Sequence, residues 1–307
     1  MTTDTQEMTA EEKRQAELAK TYDNKKIRGD YSTMRPDYTI DQDYSQYTEE
    51  MQDRWRRLYK RQYAMLPGYA CDLFIKSLDK LGFDQKIPDI EEVSAKLKSL
   101  TGWTLVAVPG AVPGRDFFKH LAEKRFPLAV WLREEHEMDY LEEPDMFHDF
   151  FGHVPLLADP VYADFVEAFG KAAGEAGTTK RGLDGLGRLY WFMVEFGLIN
   201  TEEGLRIFGA GILSSTGETK YALDSEKPNR IKYDLTRIAR TSFSIHDYQK
   251  TYFVVDSFED LYASLQGDMM PFYESLTDAK YIEPAAVLPI DDVIQRGTLA
   301  DEEEVAA

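Results

Sequence analysis

Residues 144–157 read PDMFHDFFGHVPLL. Two of the five histidines of the chain, His148 and His153, fall in this stretch, five residues apart. Phe147, Phe150, Phe151, Val154, Pro155, Leu156 and Leu157 surround them, so both imidazoles are expected at a buried or cleft position. A buried imidazole needs a partner, and a metal ion is one way to supply it. Hydrogen bonds to backbone or carboxylate inside a core are the other, and spacing alone leaves both open. Pro144 suits the first turn of a helix. On a straight α-helix five residues rotate by about 500°, leaving the two side chains about 140° apart. They converge if the helix ends between them, and Gly152 with the Val154-Pro155 pair offers that ending, because a residue before proline disfavours the helical region. The H-E-x-x-H pattern of zinc proteases instead keeps two histidines on one face and carries a glutamate that activates water. Both features are missing here.

Cys71 is the only cysteine, so a third ligand is expected to be oxygen. Glu195 stands out in YWFMVEFGLI (190–199), which is otherwise apolar. A carboxylate in such a place is rarely left unpaired. Either it meets an arginine such as Arg188, or it joins the two histidines in a facial triad that leaves open positions on a non-haem Fe(II). A zinc hydrolase with a metal-bound water and a helical interaction protein with a buried polar cluster are the competing classes.

Outward from this centre the pattern is mostly helical. Residues 1–45 are polar and read as an arm, better anchored near Tyr38 and Tyr44. Trp55, Leu58 and Tyr59 recur at helix spacing until Pro67-Gly68. A second helix carries Cys71, Phe74, Leu78 and Leu81 and ends at Gly82; a third opens at Pro88 and stops at Gly102. TLVAV reads as a strand, RDFFKHLAEK as a helix and LAVWLR as another strand. Tyr162, Phe165, Val166 and Phe169 form a core-facing stripe. GLGRLYWFMVEFGLI reads as a buried central helix, TYFVV as a strand, and SFEDLYASLQGDMMPFYESL as helical. The fold class is therefore mostly α: one domain of packed helices with a few short strands over residues 46–285, followed by an acidic tail over 286–307.

The chain has 307 residues, enough to bury a core without disulfides or structural metals. Lys plus Arg number 36 against 55 Asp plus Glu, a formal charge of −19. Such a surface repels phosphate backbones and anionic headgroups, which argues against nucleic-acid and membrane partners. A lone cysteine excludes an internal disulfide and any cysteine-based zinc or iron–sulfur site. No run of about 18 apolar residues and no signal-peptide core occurs, so a cytoplasmic location is expected.

Three motifs occur in order: PDMFHDFFGHVPLL, then GRLYWFMVEFGL (187–198), then FGAGILSSTGE (208–218). Together they resemble the pterin-dependent aromatic amino acid hydroxylases, over roughly residues 105–258, and the compact length is like that of the bacterial members. The resemblance implies the hydroxylase fold, an Fe(II) triad of His148, His153 and Glu195, and a tetrahydropterin and dioxygen as co-substrates. It implies pterin contacts at Gly110 and Val112 through their backbone and at Tyr190, with Phe117 of VPGAVPGRDF (108–117) stacking on the pterin ring, although Phe117 and Phe118 also read as core residues. Arg133 matches the arginine that grips the substrate carboxylate, with an ion pair to Glu134 or Glu135 as its alternative. Ser214 matches a hydroxyl near that carboxylate, Trp191 and Tyr190 the aromatic lining, and Glu143 a carboxylate near iron and pterin. Leu141 stands where animal members carry a threonine that helps to hold the amino acid. Val254 is aligned with a position that is aspartate in tyrosine-specific members, which together with Trp191 favours L-phenylalanine over tyrosine or tryptophan. The animal regulatory domain and tetramerising helix have no counterpart in this sequence, and an unregulated monomer is expected. Enzymes that recycle the pterin are the indirect partners implied.

Overall fold

The computed structural model describes residues 27–139, 141 and 143–299. Helix α1 (Glu49–Tyr63) begins where the Thr48 hydroxyl accepts the Met51 N–H, and it buries Trp55, Leu58 and Tyr59. Helix α2 (Asp72–Leu81) stops at Gly82, whose φ of 70° is open to glycine and costly for other residues. Asp89 caps helix α3 (Ile90–Leu100) through two backbone N–H groups. Strands β1 (Thr104–Val108) and β2 (Arg125–Ala129) pair in parallel, joined by α4 (Gly114–Ala122). The second strand is thus RFPLA rather than the expected LAVWLR. Pro127 lies inside it, which a two-stranded sheet tolerates because one edge needs no donor.

Helix α5 (Pro160–Ala176) is capped by Asp159 and buries the stripe of Tyr162, Phe165, Val166 and Phe169. Helix α6 (Gly182–Tyr190) runs into a wide turn, Trp191–Glu195, and the chain then leaves as strand β3 (Leu198–Thr201). The single long helix expected here therefore ends at Glu195. Leu198 and Ile199 serve the sheet instead, because β-branched and aliphatic residues between sheet neighbours fit a buried strand equally well. With β4 (Gly204–Ile207), β5 (Asn229–Lys232), β6 (Thr251–Val255) and β7 (Val293–Gln295), the sheet has the order β4-β3-β6-β5-β7. Its inner pairs β3–β6 and β5–β6 are parallel and its outer pairs antiparallel. Helices α7 (Ala210–Leu213), α8 (Thr216–Asp224), α9 (Leu235–Arg240), α10 (Phe258–Ala263) and α11 (Met270–Ser275) fill the connections.

The packed fold extends beyond the expected boundaries. Tyr31 and Tyr38, in the expected arm, are buried against Ala111 and Val112. In the expected tail, β7 pairs with β5, Asp291 forms a buried ion pair with Arg237, and the Gly297 N–H bonds the Asn229 side chain. Residues 1–26 and 300–307 lie outside the described residues.

The His148–His153 segment is a wide, π-type turn rather than a helix ending. The Val154 N–H reaches the Asp149 carbonyl, five residues back, and the Phe196 N–H reaches the Trp191 carbonyl in the same way. Hydrogen bonds reaching five residues back widen the turn and bring residues i and i+5 toward the same side, whereas on an α-helix they stand about 140° apart. Beneath the first turn, Phe147 and Phe151 stack at 5.0 Å, with Trp55 edge-on to Phe147 and Phe150 and Tyr59 edge-on to Phe151. Helix α7 packs against both wide turns. A Cβ on Gly152 would stand 2.8 Å from the Ala210 carbonyl oxygen, and one on Gly209 2.5 Å from that of Glu195. Gly152→Ala is accordingly expected to destabilise the fold by about 1–3 kcal/mol through overpacking, read as a lower thermal midpoint. An unchanged midpoint would show that turn and helix have room to separate.

Candidate metal centre

The wide turns bring three side chains to one point. His148 Nε2 and His153 Nε2 are 3.0 Å apart. Glu195 Oε1 is 3.2 Å from His153 Nε2, and Glu195 Oε2 is 3.5 Å from His148 Nε2. Two donors each about 2.1 Å from one ion stand about 3 Å apart when they meet it at right angles, so this spacing fits a single metal. Two nitrogens facing each other at that distance without a shared proton would repel; an ion between them removes the conflict. Two neutral imidazoles and one carboxylate also suit a divalent transition metal.

The surroundings set the protonation of each donor. The Ser214 hydroxyl donates to the Ala210 carbonyl at 2.9 Å, which leaves its oxygen to accept from His148 Nδ1 at 2.8 Å. That assignment puts the free lone pair of His148 on Nε2, toward the centre. Burial pushes the His148 imidazole down to about 4, against the raising effect of Glu195. Burial also acts to lower His153, but Glu195 overrides it and raises the imidazole above its usual value. In Glu195 burial pushes upward, yet His153, then His148 and the Tyr190 hydroxyl, hold the carboxyl below its usual range. Arg188, the alternative partner of Glu195, bonds Asp184 and the Thr241 carbonyl instead.

A cleft of about 400 Å³ opens above His148 and Glu195, with Arg133, Glu143, Trp191 and Ser214 in its walls. Arg133 is buried and does not pair with Glu134 or Glu135, which bond Arg54 and Arg57. Its Nε and Nη2 bind Asp145 side-on at 2.9 and 2.8 Å, and Asp145 further accepts the Arg133 and His148 backbone N–H groups. Burial acts to raise Asp145, but Arg133 and these bonds hold it below the usual carboxylate range. A depressed carboxyl contributes stability that is present at neutral pH and lost as acid protonates it. Asp145 thus occupies the Nε–Nη2 side of the guanidinium, and among the described residues Nη1 makes no hydrogen bond. Trp191 stacks on Phe243 at 4.3 Å, and its Nε1 donates to Gln249 Oε1 at 2.9 Å. Leu141 and Pro144 also line the cleft. Glu143 accepts the Arg28 backbone N–H with both oxygens, and burial raises its carboxyl.

The four expected pterin residues lie apart from this cleft. Phe117 packs edge-on against Tyr190 at 5.4 Å and Phe126 at 5.8 Å, on the His153 side of the centre, where Phe126 meets the His153 ring at 4.9 Å. Gly110 is covered by Arg28, whose carbonyl oxygen would be 2.6 Å from a Cβ there. Val112 packs on the Tyr31 and Tyr38 cluster. Contrary to the expectation, Val254 sits in β6, paired with Leu198 on one side and Lys232 on the other, 2% exposed, and does not line the cleft. Besides Leu141, the cleft is lined by the aliphatic Ile245, nine positions before Val254, in the loop that also supplies Phe243, Tyr248 and Gln249. Sequence reasoning missed this loop, Asp145, Asp149 and Glu218. Asp149 bonds the Ala129 N–H, and burial pushes its carboxyl up to about 7. Asp145 and Asp149 each carried a signal, a charge inside an apolar run; the loop carried none.

Fold and site together define a mostly helical enzyme with one two-histidine, one-carboxylate metal centre beneath a substrate-sized cleft. The family model of the biopterin-dependent aromatic amino acid hydroxylases matches residues 11–279, and the chain belongs to that family. It is 51% identical over 267 residues to the phenylalanine-4-hydroxylase of Caulobacter vibrioides (87% of this chain, 90% of that protein). It is 49% identical over 273 residues to that of Chromobacterium violaceum (88% and 92%). The solved structure of the C. violaceum phenylalanine hydroxylase bound to cobalt superposes with a TM-score of 0.84 at 49% identity, covering 86% of this chain and 95% of that one. The same enzyme with bound oxidized Fe(III) gives 0.81 at 48% identity, over 84% and 94%.

Replacing His148 or His153 by Ala is expected to abolish tight iron binding while the fold survives; metal analysis and circular dichroism separate the two effects. Asp145→Asn leaves Arg133 buried and unpaired and is expected to cost about 3–5 kcal/mol, read by denaturant unfolding. Val254→Asp places a carboxylate in a central strand, so loss of soluble folded protein is expected rather than a change in substrate preference.

Proposed function

We propose that the protein hydroxylates the ring of L-phenylalanine to give L-tyrosine, with one Fe(II) held by His148, His153 and Glu195 and with a tetrahydropterin and dioxygen as co-substrates. The observation that carries this reading is the convergence of those three donors beneath an aromatic-walled cleft that also holds Arg133. Phenylalanine, rather than another aromatic amino acid, is supported by the names of the relatives at about half identity. An apolar Ile245 in the cleft wall agrees, since a buried phenol without a partner is costly.

Bound iron and pterin supply the reduction of dioxygen, one oxygen atom going to the ring and the other to the pterin. The chain's own residues bind, orient and exclude water. Ser214 holds His148 in the tautomer that directs Nε2 at the metal. Arg133, made rigid by Asp145, offers its Nη1 end to the substrate carboxylate. Trp191, fixed by Phe243 and Gln249, and Pro144 wall the ring's side of the cleft. For the pterin, the candidate contacts are Gly110, Val112, Phe117 and Tyr190, with Glu143 at the cleft side; Phe117 and Tyr190 pack near the metal donors. No helix among the described residues is long and apolar enough to cross a membrane.

Anaerobic loading with Fe(II), then addition of oxygen and phenylalanine, tests the reading. Tyrosine is expected only when a tetrahydropterin is present. Equal turnover without the pterin, or a preference for tyrosine or tryptophan in a mixed-substrate assay, would overturn it. Light scattering is expected to give the mass of one chain; a stable tetramer would contradict the monomer.

A further inference from the structure

Glu218 is a cleft carboxylate that the metal centre does not use. It lies in the first turn of α8 and is 6% exposed, yet it lines the cleft that holds His148 and Arg133. Its Oε1 accepts the Tyr252 hydroxyl at 2.7 Å and the Gln249 backbone N–H at 3.2 Å. Among the described residues no donor is recorded for Oε2, and no lysine or arginine forms an ion pair with Glu218. Burial pushes the carboxyl up to about 7 in spite of both hydrogen bonds. A buried carboxylate with one oxygen fixed and the other open to a ligand cleft lacks a cation.

The other carboxylates of the cleft are differently engaged. Glu195 belongs to the donor set, and Glu143 receives the Arg28 N–H. Asp139 pairs with Arg61 in solvent, and Asp247 is exposed. An amino acid brings two charges into such a site. The open end of Arg133 suits the carboxylate, which leaves the α-ammonium group with three donors to satisfy. We propose that Glu218 Oε2 receives the α-ammonium group of the amino acid substrate. The proposal rests on the reading of the cleft as an amino acid site and adds the contact that selects an α-amine. Because Tyr252 and Gln249 hold Oε1, the carboxylate is oriented before the substrate arrives, so little ordering remains to oppose binding. A ligand with the same ring and carboxylate but no amine leaves Oε2 buried without a partner.

The test is an anaerobic calorimetric titration of the Fe(II) protein with L-phenylalanine and with 3-phenylpropionate, for wild type and Glu218→Gln. Glutamine keeps an oxygen for Tyr252 and Gln249 and removes the charge. Wild type is expected to bind phenylalanine about tenfold or more tighter than 3-phenylpropionate, the range of one charge-assisted hydrogen bond. In the variant that ratio is expected to fall to about one, with 3-phenylpropionate affinity little changed. Equal binding of both ligands by wild type overturns the proposal, and this comparison stands even if the variant fails to fold. Equal weakening of both ligands in the variant also overturns it, assigning Glu218 to packing alone. No binding of phenylalanine by the wild type would remove the amino acid reading itself, and the ammonium contact with it.

Discussion

Two imidazoles five residues apart stand about 140° apart on a straight α-helix, and here they face one point because the backbone widens to hydrogen bonds that reach five residues back. The His148–His153 turn is widened in this way, and the Trp191–Glu195 turn repeats it for the carboxylate. Wide turns have poorer packing along their axis than α-helices and occur as single turns, so they need support from outside. Phe147, Phe150 and Phe151 supply it on one side by packing into the aromatic face of α1. Helix α7 supplies it on the other, close enough that Gly152 and Gly209 have no space for a side chain. Ser214, at the end of the same short helix, then fixes the His148 ring. The element that presses the two turns into place thus also orients one of the metal donors.

The charge pattern of the cleft follows from the same economy of space. Arg133 and Asp145 neutralise each other in the interior, and Asp145 also ties down the start of the first wide turn through the His148 N–H. A free guanidinium would be expensive there. One pointing past its carboxylate partner is rigid, already desolvated and still open at one end. Glu218 is the counterpart on the opposite sign: partly satisfied, oriented and short of a charge.

Much of this was legible in the residues. The two histidines and Glu195 were visible as polar groups in apolar runs, and breakers such as Pro67-Gly68 and Gly82 marked where helices stop. The convergence itself was misread. Gly152 and Pro155 look like helix terminators, yet the wide turn includes Gly152, and Val154 and Pro155 keep helical dihedral angles after it. Strand boundaries also escaped. RFPLA and LAVWLR are equally apolar, and only the pairing of Phe126 with Leu105 decides between them. Val254 and Ile245 show a limit of a different kind. Both are aliphatic residues, nine positions apart, and which one lines the cleft depends on whether its backbone lies in a strand or in the loop before it. A polar residue buried for lack of space, such as Glu218, gives almost no signal in a region where charges alternate with turns.

The last strand of the sheet has a consequence for how the molecule is made. β7 is an edge strand, but it closes the side of β5, and Asp291 and Gly297 lock it to Arg237 and Asn229. During synthesis, the sheet stays incomplete until roughly 100 residues after Glu195 have left the ribosome. The metal donors and the aromatic bed beneath them therefore exist on the nascent chain well before the scaffold that carries β3 and β6 is finished. A break near the end of translation would release a chain that carries every metal donor but leaves the β5 edge of its sheet unpaired.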